Sequence, residues 1–231
     1  MSQLAGNQVA ALIKLDQYPD ETGFQHFFER IAKDLQEKGF SIQPCSLPES
    51  LAEQLLTHLQ SMPQFKFEQA GIGRDQAHSL NSFVRTDEIC WITGESEAGK
   101  SWLNWTARLQ QYLNRRLFLG LFSFESHFAH YAPGDFYKRH YDAFRGQANR
   151  VLSVVVYLNR AWQPDEGGEL VLYMNDQDQQ GIKVTPSYGT VAVFLSEEFP
   201  HEVLPARRDR YSIAGWFRVN TSTAVRVDPP L

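Results

Sequence analysis

The spacing of apolar residues changes once along this chain, near residue 117, and the change divides its predicted elements. Before that point apolar positions recur at three and four. GFQHFFERIAKDLQEKGF (23–40) places Phe24, Phe27 or Phe28, Ile31 and Leu35 on one stripe, with Gly39 where a helix would stop. SLPESLAEQLLTHLQSM (46–62) does the same with Leu51, Leu55, Leu59 and Met62, opening on a serine and a proline and ending before Pro63. SWLNWTARLQQYL (101–113) carries Trp102, Trp105, Leu109 and Tyr112 or Leu113 at the same interval, after a short strand candidate, EICWIT (88–93). The stretch 65–85 is polar and weakly patterned and reads as a long loop or edge strand.

From Leu117 the period becomes two. LFLGLFSFESHFAHY, DFYKRHYD, RVLSVVVYLN, GELVLYM, GIKVTP, GTVAVFLS, EVLPA and RYSIAGWFRVN are β-branched and aromatic runs, separated by turn sequences such as APGD, DEGG and PSYG. No helix interrupts them. Many short strands without crossover helices predict an antiparallel sandwich or barrel rather than a doubly wound parallel sheet. At 231 residues the chain suits one core, divided here into an N-terminal helical elaboration and loop (1–80) packed on a β-rich core (81–225).

Composition narrows the class. Apolar residues make up 42% and charged residues 21%, no apolar run reaches membrane-spanning length, and the N-terminus has no leader-like pattern, so a cytoplasmic protein is expected. A net charge of −5 argues against a broad nucleic-acid surface. The two cysteines, Cys45 and Cys90, lie in no metal or disulfide spacing and are assigned to packing as reduced, buried thiols. Arg207, Arg208 and Arg210 form a surface-type cluster unless one of them is aimed inward.

Two constellations carry chemistry. GESEAGKS (94–101) matches a phosphate-binding loop letter for letter, yet such a loop opens a βαβ unit, and here only strands follow its helix. Glu95 and Glu97 would also repel a phosphate, and TVAVFLSEE offers Ser196 where a magnesium-binding strand would end in a carboxylate. The segment is read as a turn, with Ser101 capping the helix. The second constellation is His140-Tyr141-Asp142 with His201. Residues two apart in a strand share a face, so His140 and Asp142 can share a metal with His201, leaving the open positions of a facial triad. Across the turn after His201, inward parity runs Arg210, Ser212, Ala214, Trp216: a guanidinium, two small residues and an aromatic wall, suited to a small dicarboxylate.

HYAPGDFYKRHYD, RVLSVVVYLN, GGELVLY and HEVLPARRDRYSIAGWF resemble, in order over roughly residues 80–220, the prolyl-hydroxylase branch of the 2-oxoglutarate and Fe(II)-dependent oxygenases, which includes the oxygen-sensing enzymes of animals and their bacterial relatives. The resemblance implies a double-stranded β-helix, or jelly roll, with supporting helices packed on one sheet. It implies iron held by His140, Asp142 and His201; 2-oxoglutarate held by Arg210, Tyr157, Tyr131 and Leu170; and substrate contacts from Tyr137, Trp216, Arg150 and Asp87. In that likeness Asp87 and Arg150 form a charged pair bracing a substrate loop, and His127 and His130 are structural; the long irregular loop 65–85 is read as a lid. Ala214 stands where the animal enzymes have threonine. The implied cosubstrates are 2-oxoglutarate and O₂, with ascorbate as a reductant, and the implied partner is a protein presenting a proline, such as elongation factor Tu. Competing readings keep the cofactor chemistry on a free amino acid, another side chain or an alkylated base, or keep the metal-binding jelly roll without turnover.

Overall fold

The computed structural model describes residues 21–71, 83–143 and 149–220. Three helices, α1 (Glu21–Lys38), α2 (Glu49–Ser61) and α3 (Glu97–Leu117), accompany eleven strands. The strands are β1 (Phe40–Gln43), β2 (Glu68–Gln69), β3 (Glu88–Trp91), β4 (Leu121–Tyr131), β5 (Tyr137–His140), β6 (Arg150–Tyr157), β7 (Leu170–Leu172), β8 (Ile182–Val184), β9 (Val191–Leu195), β10 (His201–Val203) and β11 (Arg210–Val219). A seven-stranded sheet runs β1-β9-β6-β11-β4-β3-β2 and a four-stranded sheet runs β5-β10-β7-β8, with every ladder antiparallel. This is the expected jelly roll.

The period-two alternation sorts side chains into two cores. Leu152, Val154 and Val156 of β6, Val191 and Val193 of β9, and Ile213 and Phe217 of β11 face the helices. There they meet Phe27 and Ile31 of α1, Leu51 and Leu55 of α2, and Trp102, Trp105 and Leu109 of α3. Trp102 donates its indole N–H to Ser126 Oγ at 3.0 Å, tying α3 to β4. The opposite parity, with Ala129, Tyr131, Tyr157, Phe194 and residues of the small sheet, fills the space between the sheets. One end of that space stays open and forms the cavity described below.

Several expectations are corrected. Helix α3 begins at Glu97, capped by Ser96, whose Oγ accepts the Gly99 N–H at 3.0 Å, so Ser96 and not Ser101 is the cap. Lys100 pairs with Glu97 at 2.7 Å on the exposed face, which leaves no phosphate cradle at 94–101. Both cysteines are free as expected, but Cys45 is exposed and Cys90 half-buried, so neither is a core thiol. The strand β1 escaped the sequence reading, since four residues between two helices are too few to display a period. Within 65–85, β2 does form an edge strand; most of the expected lid falls on 72–82, outside the described residues.

Candidate active site

β5 and β10 pair so that His140 lies opposite His201, and the chain leaves β5 after His140 and carries Asp142 back toward both rings. The three residues offer ligand atoms all within 4.8 Å of one another. His140 Nε2 lies 3.7 Å from Asp142 Oδ1, and His201 Nε2 lies 3.5 Å from Asp142 Oδ2. Tyr141 points the other way and donates to Asp176, as alternation requires.

The protonation states suit a divalent cation. His140 Nδ1 meets the Lys138 carbonyl at 2.7 Å and His201 Nδ1 meets the Phe199 carbonyl at 3.1 Å, which assigns the proton of each ring to Nδ1 and frees the Nε2 lone pair. Burial, reinforced by His140 and opposed by Asp142, lowers the His201 pKa to about 4, so its ring is neutral at pH 7. Burial works to raise the Asp142 pKa, but His201, His140 and Arg150 outweigh it and hold the carboxyl well below the usual carboxylate range. Two imidazole Nε2 atoms and one carboxylate are the donor set of a non-haem Fe(II) centre with open positions.

The cavity that these residues line has a volume of about 470 Å³. Alternation places Glu125, His127, Ala129 and Tyr131 of β4, Ser153 and Val155 of β6, and Arg210, Ser212, Ala214 and Trp216 of β11 along it. Arg210 is 2% exposed and has no carboxylate partner among the described residues; its Nε donates to the Gly168 carbonyl at 2.8 Å and its Nη1 to Ser212 Oγ at 3.2 Å. Its guanidinium lies 4.8 Å from the Tyr131 ring centre and 5.1 Å from that of Tyr157. Gly168 is required here: its φ is +70°, and a Cβ would lie 3.2 Å from Arg210 Cδ and 2.9 Å from Ala206 Cβ. Tyr157 is fully buried and its hydroxyl has no hydrogen-bond partner of sound geometry among the described residues. Burial pushes its pKa up to about 12, although Arg210 draws it back part of the way. A buried cation beside an unsatisfied hydroxyl fits a small anion with a carboxylate end, as 2-oxoglutarate has.

The remaining sequence-assigned residues fall in two groups. Tyr131, Leu170, Tyr137, Trp216 and Arg150 all line the cavity. Tyr137 stacks on His140 with centroids 3.5 Å apart, and the Arg85 guanidinium lies 4.3 Å from the same ring, so its faces are largely committed. Asp87 departs from expectation. It is fully buried and takes two hydrogen bonds from Arg85, at 2.8 and 2.6 Å, while Arg150 pairs with Glu125 at 2.7 Å and covers Trp216 at 3.8 Å. The expected Asp87–Arg150 pair is therefore replaced by two separate pairs. The sequence reading overlooked Arg85, Glu125 and Ser153; strand parity counted back from Tyr131 would have yielded Glu125, six residues earlier on the same face. His130 is structural as expected, bonded to Asp209 at 2.8 Å and stacked on Tyr211. His127, expected to be structural too, is buried against Trp91 and Trp216 and also borders the cavity.

Comparison with known proteins places the same residues in a family context. The sequence model of the 2OG-Fe(II) oxygenase superfamily matches residues 126–218. A Pseudomonas putida prolyl-4-hydroxylase of known structure is 38% identical, with a TM-score of 0.74 over 84% of this chain and 99% of that chain. A Trichoplax adhaerens prolyl hydroxylase, solved with a peptide fragment of the hypoxia inducible factor oxygen degradation domain, is 28% identical, with a TM-score of 0.72 over 85% of this chain and 91% of that chain. Egl nine homolog 1 of Rattus norvegicus is 31% identical over 85 residues, which is 36% of this chain and 25% of that protein. The chain thus spans only about a quarter of that curated relative's length.

Proposed function

Because the chain belongs to the 2OG-Fe(II) oxygenases, in their prolyl-hydroxylase branch, and is a dioxygenase using Fe(II), 2-oxoglutarate and O₂, we propose that it hydroxylates a prolyl residue of a protein substrate, giving succinate and CO₂ as co-products. The observation that carries this reading is the pairing, on one cavity, of a His-Asp-His cluster with a buried arginine that has no carboxylate partner among the described residues.

In this reading His140, Asp142 and His201 would hold the iron, and Arg210 with Tyr157 would hold the distal carboxylate of 2-oxoglutarate against the Tyr131 and Leu170 walls. Bound together, the iron and 2-oxoglutarate supply the oxidising chemistry that places one oxygen of O₂ on a C–H bond and the other in succinate. The protein supplies position and exclusion. The two Nδ1–carbonyl bonds fix the histidine rings before anything binds, so little reorganisation is needed at the metal. Arg210 is locked by Gly168 and Ser212, and its buried charge selects a dianion of limited length. Trp216, with Arg150 against its ring, and the edge of Tyr137 would confine the prolyl ring and keep water from the oxidant. Asp87 would act indirectly by holding Arg85 against Tyr137, since its own side chain is fully buried.

The test is to incubate the protein with Fe(II), 2-oxoglutarate, ascorbate and O₂ together with purified elongation factor Tu or proline-containing peptides, and to map modified residues by mass spectrometry. The expected result is the gain of one oxygen atom on a prolyl residue, in step with 2-oxoglutarate decarboxylation and absent in Asp142→Ala. Turnover stimulated only by a free amino acid would favour that substrate class. No decarboxylation by iron-loaded protein with any of these would contradict the assignment.

A further inference from the structure

The three residues of the metal cluster are not held in the same way. His140 and His201 are oriented by carbonyls of nearby residues in their own segments, Lys138 and Phe199. Asp142 lies two residues beyond the last ladder position of β5, where strand pairing no longer fixes it. Among the described residues its hydrogen-bond donor is Ser153 of β6, in the other sheet, whose Oγ lies 2.6 Å from Asp142 Oδ2. That hydroxyl has one proton, and the carboxylate takes it. The contact between Ser153 Oγ and Ser196 Oγ, at 2.9 Å, must therefore run the other way, with Ser196 as donor. Ser153 is 1% exposed and Ser196 0%, and Ser196 sits one residue past β9, five before His201. Two buried hydroxyls thus point in series at one carboxylate oxygen, each polarising the next.

We propose that Ser196 and Ser153 form a hydroxyl relay that sets the orientation of the Asp142 carboxylate, and that Ser153 is a positioning residue for the metal. The inference rests on the reading of His140, Asp142 and His201 as ligands. A carboxylate at the end of a strand can rotate about its Cβ–Cγ bond, and only one range of rotations presents an oxygen together with both Nε2 atoms. Ser153 selects that range from across the two sheets, and Ser196 keeps the Ser153 hydroxyl from turning elsewhere.

The test uses metal-stripped protein titrated with Co(II), following both the dissociation constant and the visible absorption of the bound ion. Ser153→Ala is expected to weaken binding about 10- to 100-fold and to alter the absorption band, the usual scale for loss of a partner behind a ligand. Ser153→Thr, which keeps the hydroxyl, is expected to stay within about threefold of wild type, and Ser196→Ala to lie between the two. A merely structural serine would change the unfolding midpoint of the metal-free protein without moving the band. Binding by Ser153→Ala within about twofold of wild type, with an unchanged spectrum, would overturn the relay. Should Ser153→Ala not fold, wild-type affinity in Ser196→Ala together with weak binding by Ser153→Thr would do the same. Undiminished Co(II) binding by Asp142→Ala would instead contradict the metal centre itself, and the relay would fall with it.

Discussion

Burying a guanidinium costs several kcal/mol unless something anionic meets it, and among the described residues Arg210 has only a carbonyl and a hydroxyl as hydrogen-bond partners, with the Tyr131 and Tyr157 rings beside it. Tyr157 compounds the cost with a buried hydroxyl left unsatisfied among the described residues. Both costs are recovered if a carboxylate arrives between them. Tyr157→Phe is accordingly expected to leave the ligand-free protein as stable as wild type or slightly more so, while weakening 2-oxoglutarate binding about 3- to 10-fold. Thermal unfolding with and without 2-oxoglutarate checks both halves, and a destabilised ligand-free variant would contradict the orphan status of the hydroxyl. At this scale the sequence was informative wherever strand parity applied. His140, Asp142, His201 and the series Arg210, Ser212, Ala214, Trp216 all reach one cavity. Arg85 was illegible because its place depends on an isolated bridge to Tyr137, far along the chain, and the Asp87–Arg150 pair implied by the resemblance fails because Arg85 lies against Asp87 and Glu125 against Arg150.

Among the elements, α3 shows how a motif's letters and its physics separate. The glycines and lysine of GESEAGKS serve a helix start: Ser96 caps, the backbone of Gly99 packs where a Cβ would lie 2.1 Å from the Thr93 carbonyl, and Lys100 pairs with Glu97 in solvent. Ser96→Ala is expected to cost about 1 kcal/mol in urea unfolding. Lys100→Ala should leave both stability and 2-oxoglutarate turnover unchanged, and the wild-type protein should bind no ATP in equilibrium dialysis. ATP binding lost in Lys100→Ala would restore the nucleotide reading. The strands β4, β6, β9 and β11 were legible because each buries two faces of different character, one against the helices and one toward the cavity or small sheet. The short strand β1 was not, since four residues between two helices leave the pairing partner, rather than pattern, to define it, and β2 was legible only as one of two readings of 65–85, loop or edge strand.

For the whole molecule, the helices back one face of the large sheet and leave the other to build the site, so stability and chemistry occupy opposite faces of the same strands. The site nonetheless loads the fold with buried groups that resist protonation. His127 is 3% exposed; burial lowers its pKa to about 4, with Arg85 and Arg150 reinforcing the effect and Asp87 opposing it. Between pH 6.5 and about 4 the unfolded chain binds a proton at this position that the native state refuses, so unfolding free energy falls as pH drops through that window. The loss attributable to His127 is on the order of 1–3 kcal/mol. Urea unfolding of metal-free protein across this range should show the decline, and His127→Gln should flatten it; an unchanged pH slope in the variant would contradict the assignment.

The central claim is that one cavity holds iron at His140, Asp142 and His201 and the far carboxylate of 2-oxoglutarate at Arg210. The most direct measurement is an anaerobic titration of Fe(II)-loaded protein with 2-oxoglutarate, followed by the visible metal-to-ligand charge-transfer band of the chelated keto acid, in wild type and Arg210→Ala. The expected result is a band in wild type, and the same band in Arg210→Ala only at concentrations about 100-fold higher. No band in wild type with iron loading verified, or equal affinity in the two proteins, would contradict it.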